Sequence, residues 1–312
     1  MSGSNRPTAK FAKTRNLTTK APRHKGLGQA ANRTFRASAV ELLSGTAGSI
    51  SRPDAEYLLM HLLAARRHEF YSGLTAPSRT ADRFRRLVAR AKVGEPVQYL
   101  TRSAPFLDFD VHVDRRVLIP RPETEELVSR ALARIRSGCE LQAVGCKLSA
   151  LDYGTGSGCI ALALARAFPE AKVLAVDASK AALVVAAQNV ARYGLAGRVR
   201  LAQMRTLDEP VLVRLRGRLD LLISNPPYVP TSRLARLDRN VRREPKLALD
   251  GGPKGANIVA MLLARGPDLL KPGGLLAIEI DSTHEAVVRK LAPTAEIERD
   301  LSSRIRYAFL TR

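Results

Sequence analysis

Beyond Lys147 the chain repeats one pattern: a short apolar run, a turn, then a stretch with helical spacing. The runs at 148–153, 172–176, 199–202, 219–224 and 275–280 are the strand candidates. Strands that alternate with helices favour parallel pairing, because each helix carries the chain back to the edge where the previous strand began. The expected fold class is therefore α/β, a doubly wound and mostly parallel sheet. A last pair of runs, 296–299 and 305–310, is read as an antiparallel hairpin at the sheet edge.

Three of these strands end in residues that carry chemistry. The first ends in Asp152-Tyr153-Gly154-Thr155-Gly156-Ser157-Gly158, and a helix begins near Cys159. Glycines there allow positive φ and close backbone approach, while the free N–H groups of the helix start face a ligand. No Gly-Lys-Ser/Thr follows, so a P-loop is excluded, and the G-x-G-x-G spacing differs from the dinucleotide G-x-G-x-x-G. The second strand ends at Asp177, placed to accept two hydrogen bonds from a ribose diol; taken alone it reads also as a helix cap. The fourth ends in Ser224-Asn225-Pro226-Pro227-Tyr228. Two consecutive prolines fix φ and remove two donors, which leaves Asn225 and the Pro226 carbonyl as stiffly held acceptors beside Tyr228. Open α/β sheets bind ligands at the carboxyl ends of their strands, so the three ends converge on one site.

These stretches resemble the class I S-adenosylmethionine-dependent methyltransferases, in the branch whose Asn-Pro-Pro-Tyr element methylates planar nitrogens. That branch includes DNA adenine, RNA guanine and protein glutamine methyltransferases. Such a nitrogen is a poor nucleophile, and the site must orient its N–H groups with acceptors. Three further stretches narrow the resemblance. They are Ile119-Pro120-Arg121-Pro122-Glu123-Thr124-Glu125, the earlier Pro96-Val97-Gln98-Tyr99-Leu100, and Arg243-Glu244-Pro245 with Ala248-Leu249-Asp250-Gly251-Gly252. With them the chain, over about residues 52–311, is similar to the HemK/PrmC family of peptide chain release factor glutamine methyltransferases.

The resemblance implies a seven-stranded sheet, S-adenosyl-L-methionine as methyl donor, and as substrate the glutamine of the Gly-Gly-Gln loop of a class 1 release factor. It implies Asn225, Pro226 and Tyr228 as catalytic residues. Cofactor contacts are expected from Asp152, Gly154, Thr155, Gly156, Ser157, Gly158, Asp177, Thr206 and Asn225. Substrate contacts are expected from Asn225, Pro226, Pro227, Tyr228, Arg121 and Glu123. No metal is implied. Where the family has an acid and an aromatic after the third strand, this chain has Met204-Arg205-Thr206. Asp281 stands where the family has glycine after Glu279-Ile280, and Gly252-Pro253-Lys254-Gly255-Ala256 replaces a more acidic turn. Glutamine methylation of a ribosomal protein, N-methylation of a nucleic-acid base, and a binding protein without activity are the competing readings.

The N-terminal half looks different. Nine of the first 40 residues are Lys or Arg, with no acid before Glu41, in a chain whose net charge is +22. Residues 1–39 are read as a disordered basic tail, since they hold too little apolar surface to offset ordering. As a function for it, a solubilising arm stands beside an RNA or ribosome contact through phosphates and an organelle transit peptide. Residues 40–95 read as a helical, substrate-recognising domain, with Ser51 as a cap, Pro53 in the first turn and Ala55, Leu58, Leu59, Leu62 and Leu63 at helical spacing, and a second helix over 81–92. Residues 96–125 read as a linker holding a β-hairpin of 109–113 and 117–119, with a helix from about 126 to 135, and 126–312 as the methyltransferase domain. His61 and His68 have no partner at ligand spacing. Cys139, Cys146 and Cys159, odd in number and unpaired in spacing, read as reduced structural thiols. No apolar run approaches the roughly 20 residues of a membrane span, and a cytoplasmic monomer is expected, or an organelle protein if the basic N-terminus is a transit peptide.

Overall fold

The computed structural model describes residues 36–138 and 147–312; most of the basic tail, with Cys139 and Cys146, lies outside the described residues. Eleven strands occur among the described residues, numbered here in chain order. Strand β1 (Arg36–Ser38) pairs antiparallel with β2 (Thr75–Pro77), so the end of the expected tail is structured, and Ala39 behind it is buried. Helix Arg52–Leu63 starts where expected: the Ser51 hydroxyl accepts from the Asp54 N–H, with a proline in the first turn. Helix Ser78–Lys92 packs on it, and Ala55, Leu58, Leu59, Phe70, Phe84 and Val97 form a separate apolar core. Leu62 and Leu63 stand at its margin, half-buried.

The hairpin differs from the expected one. Strands β3 (Ala104–Phe106) and β4 (Phe109–Val111) pair with each other, while 117–119 forms no strand. Pro105 tolerates the two-stranded edge because an edge position needs no N–H. The downstream helix spans Pro122–Gly138, four residues earlier than expected, because proline suits a first helical turn. The hairpin side chains Phe106, Phe109, Val111 and Val113 share one core with that helix and with the sheet, so this segment is packed structure and not a bare connector.

The seven-stranded sheet has the order β10-β11-β9-β8-β5-β6-β7. Its members are β5 (Ser149–Tyr153), β6 (Lys172–Asp177), β7 (Val199–Gln203), β8 (Leu219–Ser224), β9 (Leu270–Glu279), β10 (Glu296–Arg299) and β11 (Ile305–Thr311). Neighbours from β7 to β9 run parallel, and β11 is antiparallel to both β9 and β10. The hairpin is therefore at the edge as expected, with its second strand inside. Strand β9 begins five residues before the expected start: Leu219 pairs with Leu270 but Leu221 with Leu275, and Lys271 to Gly274 take up the slip. A side chain at Gly274 would come 2.8 Å from the Leu219 carbonyl, which explains the glycine.

Side-chain alternation sorts the strands onto two cores. Ala150, Leu221, Ile223, Leu275 and Ala277 face the helices Pro122–Gly138 and Cys159–Ala167; Leu151, Leu222, Leu276 and Ile278 face the helix Asn257–Arg265. Asp152 and Glu279 continue the first set by parity. The order of the sheet reverses between β5 and β8, which places a crevice at their carboxyl ends.

Candidate active site

A cavity of about 150 Å³ opens at that switch point, lined by Tyr153, Gly154, Gly156, Asp177, Met204, Arg205, Asn225 and Pro227. Arg116, Val117 and Leu118 from the segment after β4, with Pro245, Leu247 and Ala248, complete its wall. The stretch read as a second hairpin strand thus serves the site. A wider cavity of about 520 Å³ lies elsewhere, beside Lys147, Asp220 and Lys271 at the opposite strand ends, where α/β sheets do not present ligands.

The glycine turn is built from both sides. Gly154 and Thr155 N–H donate to the Val176 carbonyl at 2.9 Å each. Gly156 has positive φ and open space where a Cβ would stand, so a ligand can reach the main chain. At Gly158 a Cβ would touch Ala186, so that glycine lets two helices close up. Asp177 accepts from Gly156 N–H at 2.9 Å and from Ser179 N–H at 2.8 Å. Burial raises its carboxyl above the ordinary range while these N–H groups oppose the rise. Each of its oxygens keeps a lone pair for a hydroxyl, and this pair of acceptors fits a ribose diol.

Four expected cofactor contacts shape this turn and do not line the cavity. Asp152, fully buried by its strand parity, accepts from the Thr155 hydroxyl at 2.6 Å and from Ala161 N–H at 3.1 Å. It ties the turn to the helix behind it, and burial pushes its carboxyl up to about 7. Thr155 is committed to Asp152. The Ser157 carbonyl accepts from Asn189 Nδ2 at 2.8 Å, and Gly158 meets Ala186. Thr206 is a further difference: it is exposed, and Met204 and Arg205 line the cavity in its place. Met204 N–H donates to the Asp177 carbonyl and the Tyr153 hydroxyl donates to the Arg205 carbonyl at 2.7 Å, which pins those two residues over the turn. Asn189, which also exchanges two hydrogen bonds with the His112 backbone, is a buried organiser that no motif marked.

At the other end, Asn225 Nδ2 donates to the Thr124 hydroxyl oxygen at 2.8 Å, and that hydroxyl donates to Glu279 at 2.8 Å. Asn225 Oδ1 is buried and has no partner among the described residues. The Pro226 carbonyl accepts no hydrogen bond from them either. Tyr228 lies outside the cavity lining: its hydroxyl donates to the other Glu279 oxygen at 3.2 Å, and its ring stands edge-on to His284. Gly251 and Gly255 press on this loop, since a Cβ there would come within 2.7 Å of the Pro227 carbonyl and 2.4 Å of the Tyr228 carbonyl.

Arg121 and Glu123, expected at the substrate, also stand outside that lining. Arg121 pairs with buried Glu244, which accepts from Ile119 N–H as well, so two stretches of the resemblance clasp each other. Glu123 faces Arg304 at 3.6 Å. Asp281 turns away to cap the short helix Ser282–His284, accepting from Thr283 N–H at 3.0 Å. Cys159 is buried and free. No helix among the described residues is long and apolar enough to cross a membrane.

A doubly wound seven-stranded sheet, with a glycine turn, an acid at the end of the next strand and Asn-Pro-Pro-Tyr at its switch point, defines a class I S-adenosylmethionine-dependent methyltransferase. The Methyltransferase small domain matches residues 124–239, and the PrmC N-terminal domain matches 35–101. The release factor glutamine methyltransferase of Moorella thermoacetica is 44% identical over 253 residues, covering 81% of each chain. That of Chlorobaculum tepidum is 38% identical over 265 residues, covering 81% of this chain and 89% of its own. The chain belongs to the release factor glutamine methyltransferase family.

Proposed function

We propose that this chain methylates the side-chain amide N5 of the glutamine in the Gly-Gly-Gln loop of a class 1 release factor. The observation that carries the reading is the unpartnered, buried Asn225 Oδ1 on a cavity shared with Gly156 and Asp177. S-adenosylmethionine, when bound, supplies an electrophilic methyl group. The Gly154 to Gly156 main chain and Asp177 would hold it, with Met204 and Arg205 beside the adenine.

Asn225 Oδ1 and the Pro226 carbonyl accept the two hydrogens of the target amide, and so aim a delocalised nitrogen without having to remove its proton first. Methylation makes that nitrogen cationic and far more acidic, so the proton leaves afterwards and no general base is required. Tyr228, tied to Glu279, stiffens the loop that carries both acceptors. Rigid placement of this kind supplies a large part of the rate. Arg121 and Glu123 act on the substrate side through the segment they hold. Residues 40–95 act as the substrate-recognising domain, 96–125 as the hairpin linker and 126–312 as the methyltransferase domain.

The same reading takes the protein as a cytoplasmic monomer, or an organelle protein if its N-terminus is a transit peptide, with the basic residues before Arg36 as a solubilising arm or a contact to RNA or the ribosome. Labelled methyl donor, with a release factor and with its glutamine-to-alanine loop variant, tests the reaction. Label on the first alone is the expected result; equal label on both rules out the glutamine.

A further inference from the structure

We infer that Glu279, acting through Thr124, is a positioning residue that holds the Asn225 amide with its oxygen turned toward the substrate nitrogen. This rests on the function proposed above. Both oxygens of Glu279 are occupied, one by the Thr124 hydroxyl and one by the Tyr228 hydroxyl, and the residue is fully buried at the end of β9. A carboxylate only accepts, so the one hydrogen of Thr124 is committed to Glu279. What Thr124 can offer Asn225 is a lone pair, and only the NH₂ side of the amide can use it. Turning the amide over would set its oxygen against an oxygen with no hydrogen to give. Oδ1 is thereby held as the acceptor, buried and ready for a substrate N–H.

The direction of the relay depends on the charge of Glu279. A neutral acid can donate to Thr124, which frees the Thr124 hydrogen for Oδ1; the amide then reverses and presents NH₂ to a substrate that also carries hydrogens. The groups facing Glu279 come from three sides. Glu123 and Thr124 lie on the helix Pro122–Gly138, Tyr228 (with His284 against its ring) on the loop after β8, and Arg306 and Tyr307 on β11. Burial and Glu123 favour the neutral acid, while Thr124, Arg306 and Tyr228 favour the carboxylate; the balance lies at about 7. The relay is consequently set near neutrality and reverses in acid.

The test uses the full chain with Thr124→Val, Thr124→Ser and Glu279→Gln. We expect Thr124→Val to lose about a hundredfold in kcat with little change in cofactor affinity by calorimetry, whereas Glu279→Gln keeps an acceptor for Thr124 and serves as the non-titrating control. Thr124→Ser should recover at least about tenfold over Thr124→Val, since it restores the hydroxyl. The acid limb of wild-type kcat near pH 7 should be absent in Glu279→Gln. Nitrogen-15 NMR of the Asn225 side-chain NH₂ reads the relay without substrate: slow exchange in wild type and Thr124→Ser, fast in Thr124→Val. Equal loss in Thr124→Ser and Thr124→Val, full activity in Thr124→Val, or unchanged NH₂ exchange across the set overturns the relay. Protected NH₂ in a wild type that does not label release factor overturns the proposed function and leaves the relay standing.

Discussion

Around the glycine turn the hydrogen bonds span 2 to 32 residues of chain and mostly start from backbone N–H groups. Around Asn225 they span 51 to 155 residues and run from side chain to side chain. The cofactor end is thus a local device, assembled from a strand, its turn and the next strand. The acceptor end is a meeting of three distant segments, and its geometry is only as good as the packing that brings them together. A local device suffers most from a change of backbone freedom. A remote one suffers most from the loss of one hydrogen-bonding atom, because no neighbour in sequence can replace it.

The largest effect expected from this contrast is at Asn225. Asn225→Ala removes the acceptor and should cost kcat at least about a hundredfold while cofactor affinity moves little; labelled transfer and calorimetry separate the two. Asp177→Ala should do the reverse. Charged hydrogen bonds contribute about 1.5 to 3 kcal/mol each, so losing two should raise the cofactor Kd at least about a hundredfold with kcat at saturation nearly kept. If Asp177→Ala abolishes kcat as well, the two ends are not separable. Gly255→Ala is next: its Cβ would stand 2.4 Å from the Tyr228 carbonyl at a positive φ. Overpacking of that kind costs about 1 to 3 kcal/mol, and the melting temperature and kcat should fall together with cofactor affinity kept.

The smallest effect concerns Asp152, whose carboxyl is raised to about 7 by burial. A raised acid stabilises the fold while it is protonated, below its unfolded pKa, and that contribution is lost as pH rises toward the folded value. Asp152→Asn keeps the acceptor for Thr155 and Ala161 and has no such loss. The melting temperature of wild type minus that of Asp152→Asn should therefore decline from about pH 4 to about 7 and be flat above it. A difference that is constant with pH would mean that Asp152 stays ionised in the fold.

The sheet was legible because its strands are apolar runs and its turns are punctuated by glycine, features that act within a few residues. The pattern misleads only where local signals contradict the tertiary outcome. The apolar run marks the strand at 275–280, yet β9 begins at Leu270, and Lys271-Pro272-Gly273-Gly274 lie inside it, where the extra residues are absorbed beside Leu219. Residues 117–119 read as a strand but form none, and Val117 and Leu118 are wall to the cavity instead. Thr206 reads as a polar group near the adenine, while two hydrogen bonds to Met204 and Arg205 decide otherwise.

The amino-acid sequence alone determined the α/β class and which strand ends, at Gly154, Asp177 and Asn225, meet at the cavity, because strand, turn and proline preferences are set by neighbours. Tertiary structure decided which carboxylate does what. Asp152 and Glu279 fall on the same face of the sheet, one under a glycine turn and one under Thr124, and only the packing of the helix Pro122–Gly138 across β9 turns the second into a support for Asn225. A hydrogen bond between residues 155 apart leaves no mark on the stretch around either partner.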